Sequence, residues 1–418
     1  MDRTKAPPIN EIQTITLPKV DSAILTNGIK VFYVIDKSVE AFKIEAVTQG
    51  GFFYSESAAQ AILSNKMILE GTKLFPGNSL IAEVDRLGSF LEATPSFDYS
   101  SITLFGLTRF FEQNLSIFYE ALTQASFENQ HLEALKRKEL DRLKLNQEKG
   151  SYQASINLRK SLFTNHPYGY TLNVNDINDA SAESLKLFYQ RSINSFNLFL
   201  SGNIPIDFLN QLEMLFSESP TQSISPNREV HLSFRRNDSI VRDERFIQSS
   251  IRLGKILFNR SSEDYLDFLL LNEILGGYFG SRLMKNIREE KGYTYGISSQ
   301  LYALKETGYF TIGTDVNSEA EEDTLVQIRA EIDKLQNELI SEEELYVVKN
   351  YLLGSLTNSL STPFATIDKF KVLYHQGFDL NFYDSYIQSI KSAKAEKLLD
   401  LANKYLDWDS LSHSIVGS

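Results

Sequence analysis

The chain of 418 residues contains no cysteine, which removes disulfides, thiolate metal sites and cysteine nucleophiles from consideration together. Histidine is nearly as scarce: His131, His166, His231, His375 and His413 are scattered, and none stands at metal-ligand spacing from another. No apolar run approaches the length of a membrane span, and the opening residues, MDRTKAPPINEIQ, hold no apolar segment of a secretion signal. The expectation is a soluble, cytoplasmic chain, although a periplasmic chain trimmed of its leader would read the same. Basic side chains are outnumbered, 42 against 54, for a formal net charge of −12. That balance argues against nucleic acid, whose binding relies on clustered Lys and Arg that release counterions. Phosphate cradles are missing as well: Gly276, Gly277 and Gly280 follow a helical pattern rather than a strand and form neither G-x-G-x-x-G nor a Walker loop. No G-x-S-x-G elbow accompanies the serines.

What is present is a long chain with ordinary globular composition, too long for one core, so two or more domains are expected. Apolar residues alternate over 22–36 around the turn dipeptide Asn27-Gly28 and again over 42–51, predicting antiparallel strands. Helical spacing follows over 58–69, 78–91 and 110–124, with strand pattern at 92–107. The longest helical signal runs from His131 to about Phe163. Its Lys and Arg residues are interleaved with acids and read as a solvated face. A helix from Ser181 and a strand near 197–200 come next, then a polar stretch with two prolines, 217–230, that reads as a linker. Beyond it the order repeats: a strand at 246–258, a helix at 265–275 ending in Gly276 as the earlier one ends in Gly71, and at the end a helix near Ser392 with a strand closing in Gly417. The reading is α+β: two homologous units, 1–218 and 230–418, joined by a linker at 219–229, each an antiparallel-rich sheet packed with helices. The acidic run Glu342–Glu344 is expected to open a helix, where negative charge meets its positive end.

The stretch from Leu275 to Ser299 reads LGGYFGSRLMKNIREEKGYTYGISS. Its glycines, then S-R-L, then R-E-x-x-G-x-x-Y, closely resemble the second domain of the pitrilysin/insulinase-type zinc peptidases, the inverzincins. Nearly the whole chain fits the two-unit plan of that fold, which is shared with the mitochondrial processing peptidases. The resemblance implies that Arg288, near a helix end, and Tyr295, on the strand that follows, bind the backbone of a peptide substrate. Inverzincins also carry H-x-x-E-H on a helix of the first domain, followed by M-x-x-x-G-T. The turn is here, as Met67-Ile68-Leu69-Glu70-Gly71-Thr72. Counting back from it, Ile62 and Lys66 stand where the two histidines belong and Asn65 where the catalytic glutamate belongs. Isoleucine has no lone pair to offer, lysine brings positive charge to the place of a dication, and an amide does not take a proton at neutral pH. The remaining ligand position falls near Arg142, with Glu139 and Glu148 as neighbouring carboxylates. No metal is therefore expected in this chain, and loss of a general base alone costs about 10²–10⁴ in rate.

Some peptidases of the family are heterodimers in which one subunit bears the zinc and the other the arginine and tyrosine. The resemblance implies the second kind: a non-catalytic, substrate-binding chain that pairs with a zinc-bearing homologous subunit and with it encloses a peptide. Two other expectations stand beside it. One is a non-enzymatic assembly or peptide-binding scaffold of the same fold. The other is a homodimeric peptidase, which conflicts with Lys66; pairing of the isolated chain with itself is compatible with any of the three.

Overall fold

Among the described residues eleven strands form two sheets, and the second repeats the strand order of the first apart from one edge strand. In the computed structural model, residues 12, 14–219, 232 and 235–418 are described, so His231 and most of the expected linker lie outside the described residues. The strands are β1 (Asp21–Ile24), β2 (Lys30–Ile35), β3 (Ala41–Thr48), β4 (Phe90–Pro95), β5 (Ser100–Leu107), β6 (Phe196–Gly202), β7 (Ser239–Arg242), β8 (Gln248–Leu257), β9 (Ile297–Ala303), β10 (Gly308–Asn317) and β11 (Ser412–Gly417). The first sheet runs β1-β2-β6-β3-β5-β4 and the second β7-β11-β8-β10-β9. In each, the closing strand lies parallel to the one at its edge side (β6 to β2, β11 to β7) and antiparallel to the long central strand (β3, β8). Apart from β1, the two sheets therefore correspond strand for strand. The architecture is α+β with two homologous domains.

The helices explain why the halves hold together. The signal from His131 to Phe163 is two helices, Asn129–Gln147 and Gly150–Leu162, separated where Lys149 adopts extended backbone (φ −100°, ψ 119°). The break lets the second helix leave the first half and lie on β8 and β11 of the second sheet. Gly254 permits the approach, because a Cβ there would stand 2.7 Å from the Phe310 carbonyl oxygen and 3.1 Å from Leu158. The exchange is reciprocal: the helix Pro363–His375, from the second half, packs on β2 and β6 of the first sheet. Phe370 and Tyr374 bring their rings to within 4.9 and 4.5 Å of Phe32, centroid to centroid. The larger core accordingly contains Phe32, Val47 and Phe199 of the first sheet among second-half residues. Each half buries a face of its sheet under a helix of the other, so neither has a complete apolar layer alone.

Smaller departures from the sequence reading have local causes. The helix expected over 78–91 ends at Arg86, because Gly88 turns the chain at φ +63° and β4 begins at Phe90. The last helix starts at Ala395 rather than near Ser392, which ends the helix before it. Glu342 does open a helix, Glu342–Ser359, capped by Ser341 accepting from the Glu344 N–H. No helix among the described residues is long and apolar enough to cross a membrane.

Candidate functional site

The helix Ala58–Met67, capped by Ser57, carries Ile62, Asn65 and Lys66. Asn65 is buried, and its amide donates to the Ala61 carbonyl at 2.8 Å and to Ser100 Oγ at 3.0 Å. Those bonds commit it to tying the helix to β5. The Lys66 ammonium forms an ion pair with Oε1 of Glu139, a carboxylate with no exposed surface. Arg142 approaches the other oxygen, Oε2, at 2.6 Å, an ionic contact rather than a directed hydrogen bond. Glu139 is thus the carboxylate that faces the degenerate motif, one turn before Arg142, whereas Glu148 lies in a separate groove with Lys144 and Arg245. A buried carboxylate needs a compensating cation. Here Lys66 supplies it, from the position that the family resemblance assigns to the second histidine. A zinc ion does not fit these residues: it would meet an ammonium, an alkyl chain and an amide committed elsewhere. Among the described residues, no three His, Cys, Asp or Glu side chains gather as they would to hold a metal ion.

In the second half, the helix Tyr265–Asn272 widens into a π-type turn, Glu273–Gly277, and a second such segment spans Met284–Glu290. Leu283 and Ile287 are fully buried, which turns Arg288 toward the surface. Arg282 anchors the segment through Glu344, at 2.8–3.0 Å. Burial raises the carboxyl of Glu273 to about 7. Gly276 is required where it stands, since a Cβ would come within 2.7 Å of the Ser299 amide.

The strand expected to hold Tyr295 begins only at Ile297, so Tyr295 belongs to the connection leading into it. That connection is pinned on both sides. Tyr293 donates to Asp323 at 2.8 Å, and the Thr294 hydroxyl donates to the Asp315 carbonyl at 2.8 Å. Between these anchors and the sheet, Tyr295 is left 97% exposed. The Arg288 Nε donates to the Tyr295 carbonyl at 3.1 Å, and its guanidinium lies 4.6 Å from the centre of the exposed Phe279 ring. The two predicted residues are therefore brought together through the tyrosine backbone, with the phenol projecting into solvent.

Two family models match this chain. One, described as Insulinase (Peptidase family M16), matches residues 56–175, and the other, described as Peptidase M16 inactive domain, matches residues 179–352. The chain belongs to the insulinase family of peptidases and their homologues. Among its relatives is a "Non-peptidase homolog YmxG" of Helicobacter pylori, 20% identical over 86% of this chain and 84% of that protein. An "Uncharacterized zinc protease YmxG" of Bacillus subtilis is 24% identical over 71% and 73%. The crystal structure of a peptidase M16 inactive domain from Pseudomonas fluorescens has the same fold, with a TM-score of 0.84, 21% identity, and coverage of 95% of this chain and 98% of that one. This chain is an inactive-type homologue within the insulinase family: it has the two-domain architecture, and no metal-holding cluster gathers among its described residues.

Sequence reasoning did not find the Lys66–Glu139 pair or the Phe279 platform under Arg288. Glu139 could have been found from the lysine itself, since a cation at a former ligand position needs an acid opposite. His166, His375 and His413 have structural surroundings instead. His166 Nδ1 accepts from the Tyr168 N–H at 3.1 Å and so caps the turn Pro167–Gly169. His375 stacks on Tyr99 at 5.1 Å, and His413 meets the Trp408 ring edge-on. Imidazole burial, with Lys371 and Lys305 nearby, lowers His375 to about 4.

Proposed function

We propose that this insulinase-family chain is the zinc-free, substrate-holding subunit of a two-chain peptidase, paired with a homologous subunit that bears the metal. Arg288 and Tyr295 would donate hydrogen bonds to carbonyl oxygens of a bound peptide. Such contacts count most where they meet charge that develops as the bond breaks. Zinc on the partner would supply the activated water; this chain's own part is to grip and orient the peptide.

The observation that supports the reading is Tyr295. A tyrosine 97% exposed, on a connection pinned by Tyr293 and Thr294 and backed by a guanidinium, contributes little to folding. It is a rigid amphipathic contact suited to a ligand.

The test is to purify the chain alone and together with the H-x-x-E-H homologue from the same genome. The mixture is expected to cleave peptides while the chain alone does not. Arg288→Ala should lower turnover of the complex about tenfold to a hundredfold without dissociating it. Unchanged turnover removes Arg288 from the role. If no mixture cleaves, a peptide-binding scaffold of the same fold becomes the better reading.

A further inference from the structure

Between the helix Gly150–Leu162 and the face of the second sheet lies a cavity of about 390 Å³. Arg159 and Ser155 line it from the helix, Arg252 from β8, and Tyr302 and Tyr309 from the sheet, their rings stacked at 4.7 Å. Gly296, the residue after Tyr295, is also part of the lining.

The two guanidiniums differ. Arg252 is satisfied within the protein: it donates to the Thr314 carbonyl at 2.7 Å and to Ser155 Oγ at 3.2 Å, and pairs with Asp315 at 3.2 Å. Arg159 donates to the Tyr170 carbonyl at 3.0 Å and rests 5.4 Å from the Phe97 ring centre, but its Nε is buried without a partner. No carboxylate among the described residues pairs with it. Burial pushes its pKa below the ordinary arginine value, and an arginine stays charged all the same. Arg159 is half-buried with its Nε shut off from water, and an anion in the cavity would meet that unpaired donor.

The first half shows what the fold does when this space is not kept open. Glu45 pairs across the sheet with Phe199, at the same remove from Gly202 as Ser414, the partner of Arg252, is from Gly417. Arg252 and Glu45 therefore occupy corresponding places. Ser155 and Asp368 likewise hold the same position in two helices of 13 residues. In the first half that space is closed by ion pairs: Lys43 with Asp368, and Lys371 with Glu45 at 2.7 Å. In the second half a serine stands in the place of Asp368, the Asp315 carboxylate lining the cavity is taken up by Arg252, and the Arg159 guanidinium is left with no carboxylate of its own.

We propose that this cavity receives a carboxylate carried by the peptide held at Arg288 and Tyr295, with Arg159 as its counter-charge and the Tyr302 ring as an apolar wall. The inference rests on the peptide-holding reading. A planar guanidinium fork matches a carboxylate in two parallel hydrogen bonds, and the volume is that of a small-ligand pocket. The carboxylate can be a peptide C-terminus or an Asp or Glu side chain.

The experiment uses the full chain and measures fluorescence-anisotropy binding of a labelled decapeptide with a free C-terminus, its C-terminal amide, and the pair with an internal Glu or Gln. In parallel, thermal stabilisation by N-acetylglutamate is compared with that by N-acetylglutamine amide. Loss of the carboxylate, at whichever end carries it, is expected to weaken binding tenfold or more. Arg159→Gln should abolish that difference, with Arg159→Lys restoring part of it. Amidation sensitivity assigns the C-terminus; Glu-to-Gln sensitivity assigns the side chain. Equal binding of acid and amide to the unsubstituted chain overturns the pocket and leaves the peptide reading standing if Arg288→Ala still weakens both. If no peptide binds, yet N-acetylglutamate stabilises the chain in an Arg159-dependent way, the carboxylate site stands and its tie to a peptide falls. If neither probe binds, both are overturned.

Discussion

The two halves of this molecule are built on one plan and differ in where they place charge. In the first, both functional spaces are closed from within. Lys66 and Arg142 neutralise Glu139 where the family holds a metal, and Lys43, Glu45, Asp368 and Lys371 fill the seam between the sheet and the crossing helix. In the second, the corresponding seam is a cavity bearing Arg159, and the connection after the π-type segment holds Tyr295 out in solvent. Internal ion pairs satisfy charges that a ligand would otherwise have to meet, so a half that supplies its own counter-ions has no chemistry left to offer. The comparison teaches that the first half answers its own charges, whereas the second keeps the exposed Tyr295 and the cavity on which the proposed ligand roles rest.

The strongest test is to break the first half's internal pairing. Lys66→Met leaves Glu139 buried with only the half-exposed Arg142 nearby, and removing one partner of a buried pair costs about 3–5 kcal/mol. Urea denaturation should show a loss near the lower end of that range. The double variant Lys66→Met/Glu139→Gln should recover much of it, because no charge is then stranded. A loss below about 1 kcal/mol, the size of an exposed pair, would mean that Glu139 is compensated elsewhere.

The same site can be pushed toward the family's constellation. With Ile62→His, Asn65→Glu and Lys66→His introduced together, Glu139 becomes a ligand instead of a counter-ion. One zinc per chain is then expected by elemental analysis, and adding Glu139→Gln should remove it. Failure to bind zinc would show that the helix positions are no longer in register with Glu139.

A third change makes the halves alike. Ser155→Asp places in the second seam the acid that Asp368 supplies in the first. It should stabilise the chain modestly, by up to about 1 kcal/mol, and abolish any acid-over-amide preference for ligands. Destabilisation would show that Arg159 and Arg252 are not positioned to receive an internal carboxylate.

The smallest effect is in pH. His375, on the crossing helix of the first seam, is lowered to about 4 by burial and neighbouring lysines. The unfolded chain therefore takes up a proton between roughly pH 6.5 and 4 that the folded chain refuses, so stability should fall as pH falls through that window. His375→Phe should flatten this part of the profile; an unchanged slope would assign the acid sensitivity to other groups.

Much of this organisation is legible in the amino-acid order because local rules carry it. The strand at 42–51, the helix ending near Gly71 and their echo beyond the linker follow from periodicity, whereas the reading of Ile62, Asn65 and Lys66 as zinc positions without ligands follows from the family resemblance carried by Met67–Thr72. The break at Lys149 is marked in sequence only by the Gly150-Ser151 that follows it; helical spacing resumes beyond, and only packing on the second sheet makes use of the break. Tyr295 as a solvent-facing side chain was not legible. Its alternating neighbours look like strand, and the anchors that end the pattern, Asp323 and the Asp315 carbonyl, come from later in the chain.

By itself, then, the sequence determined the two-unit α+β plan, which rests on local periodicity, and through its family resemblance it pointed to Ile62, Asn65 and Lys66 as zinc positions without ligands and to Arg288 and Tyr295 as substrate-binding. The tertiary structure alone decided that Glu139 answers Lys66, that the halves exchange covering helices, and that Arg159 lines a cavity whose carboxylate, Asp315, is taken up by Arg252. Those facts depend on which distant charges and surfaces meet, and the free energy of a buried charge is set by its surroundings rather than by its neighbours in sequence.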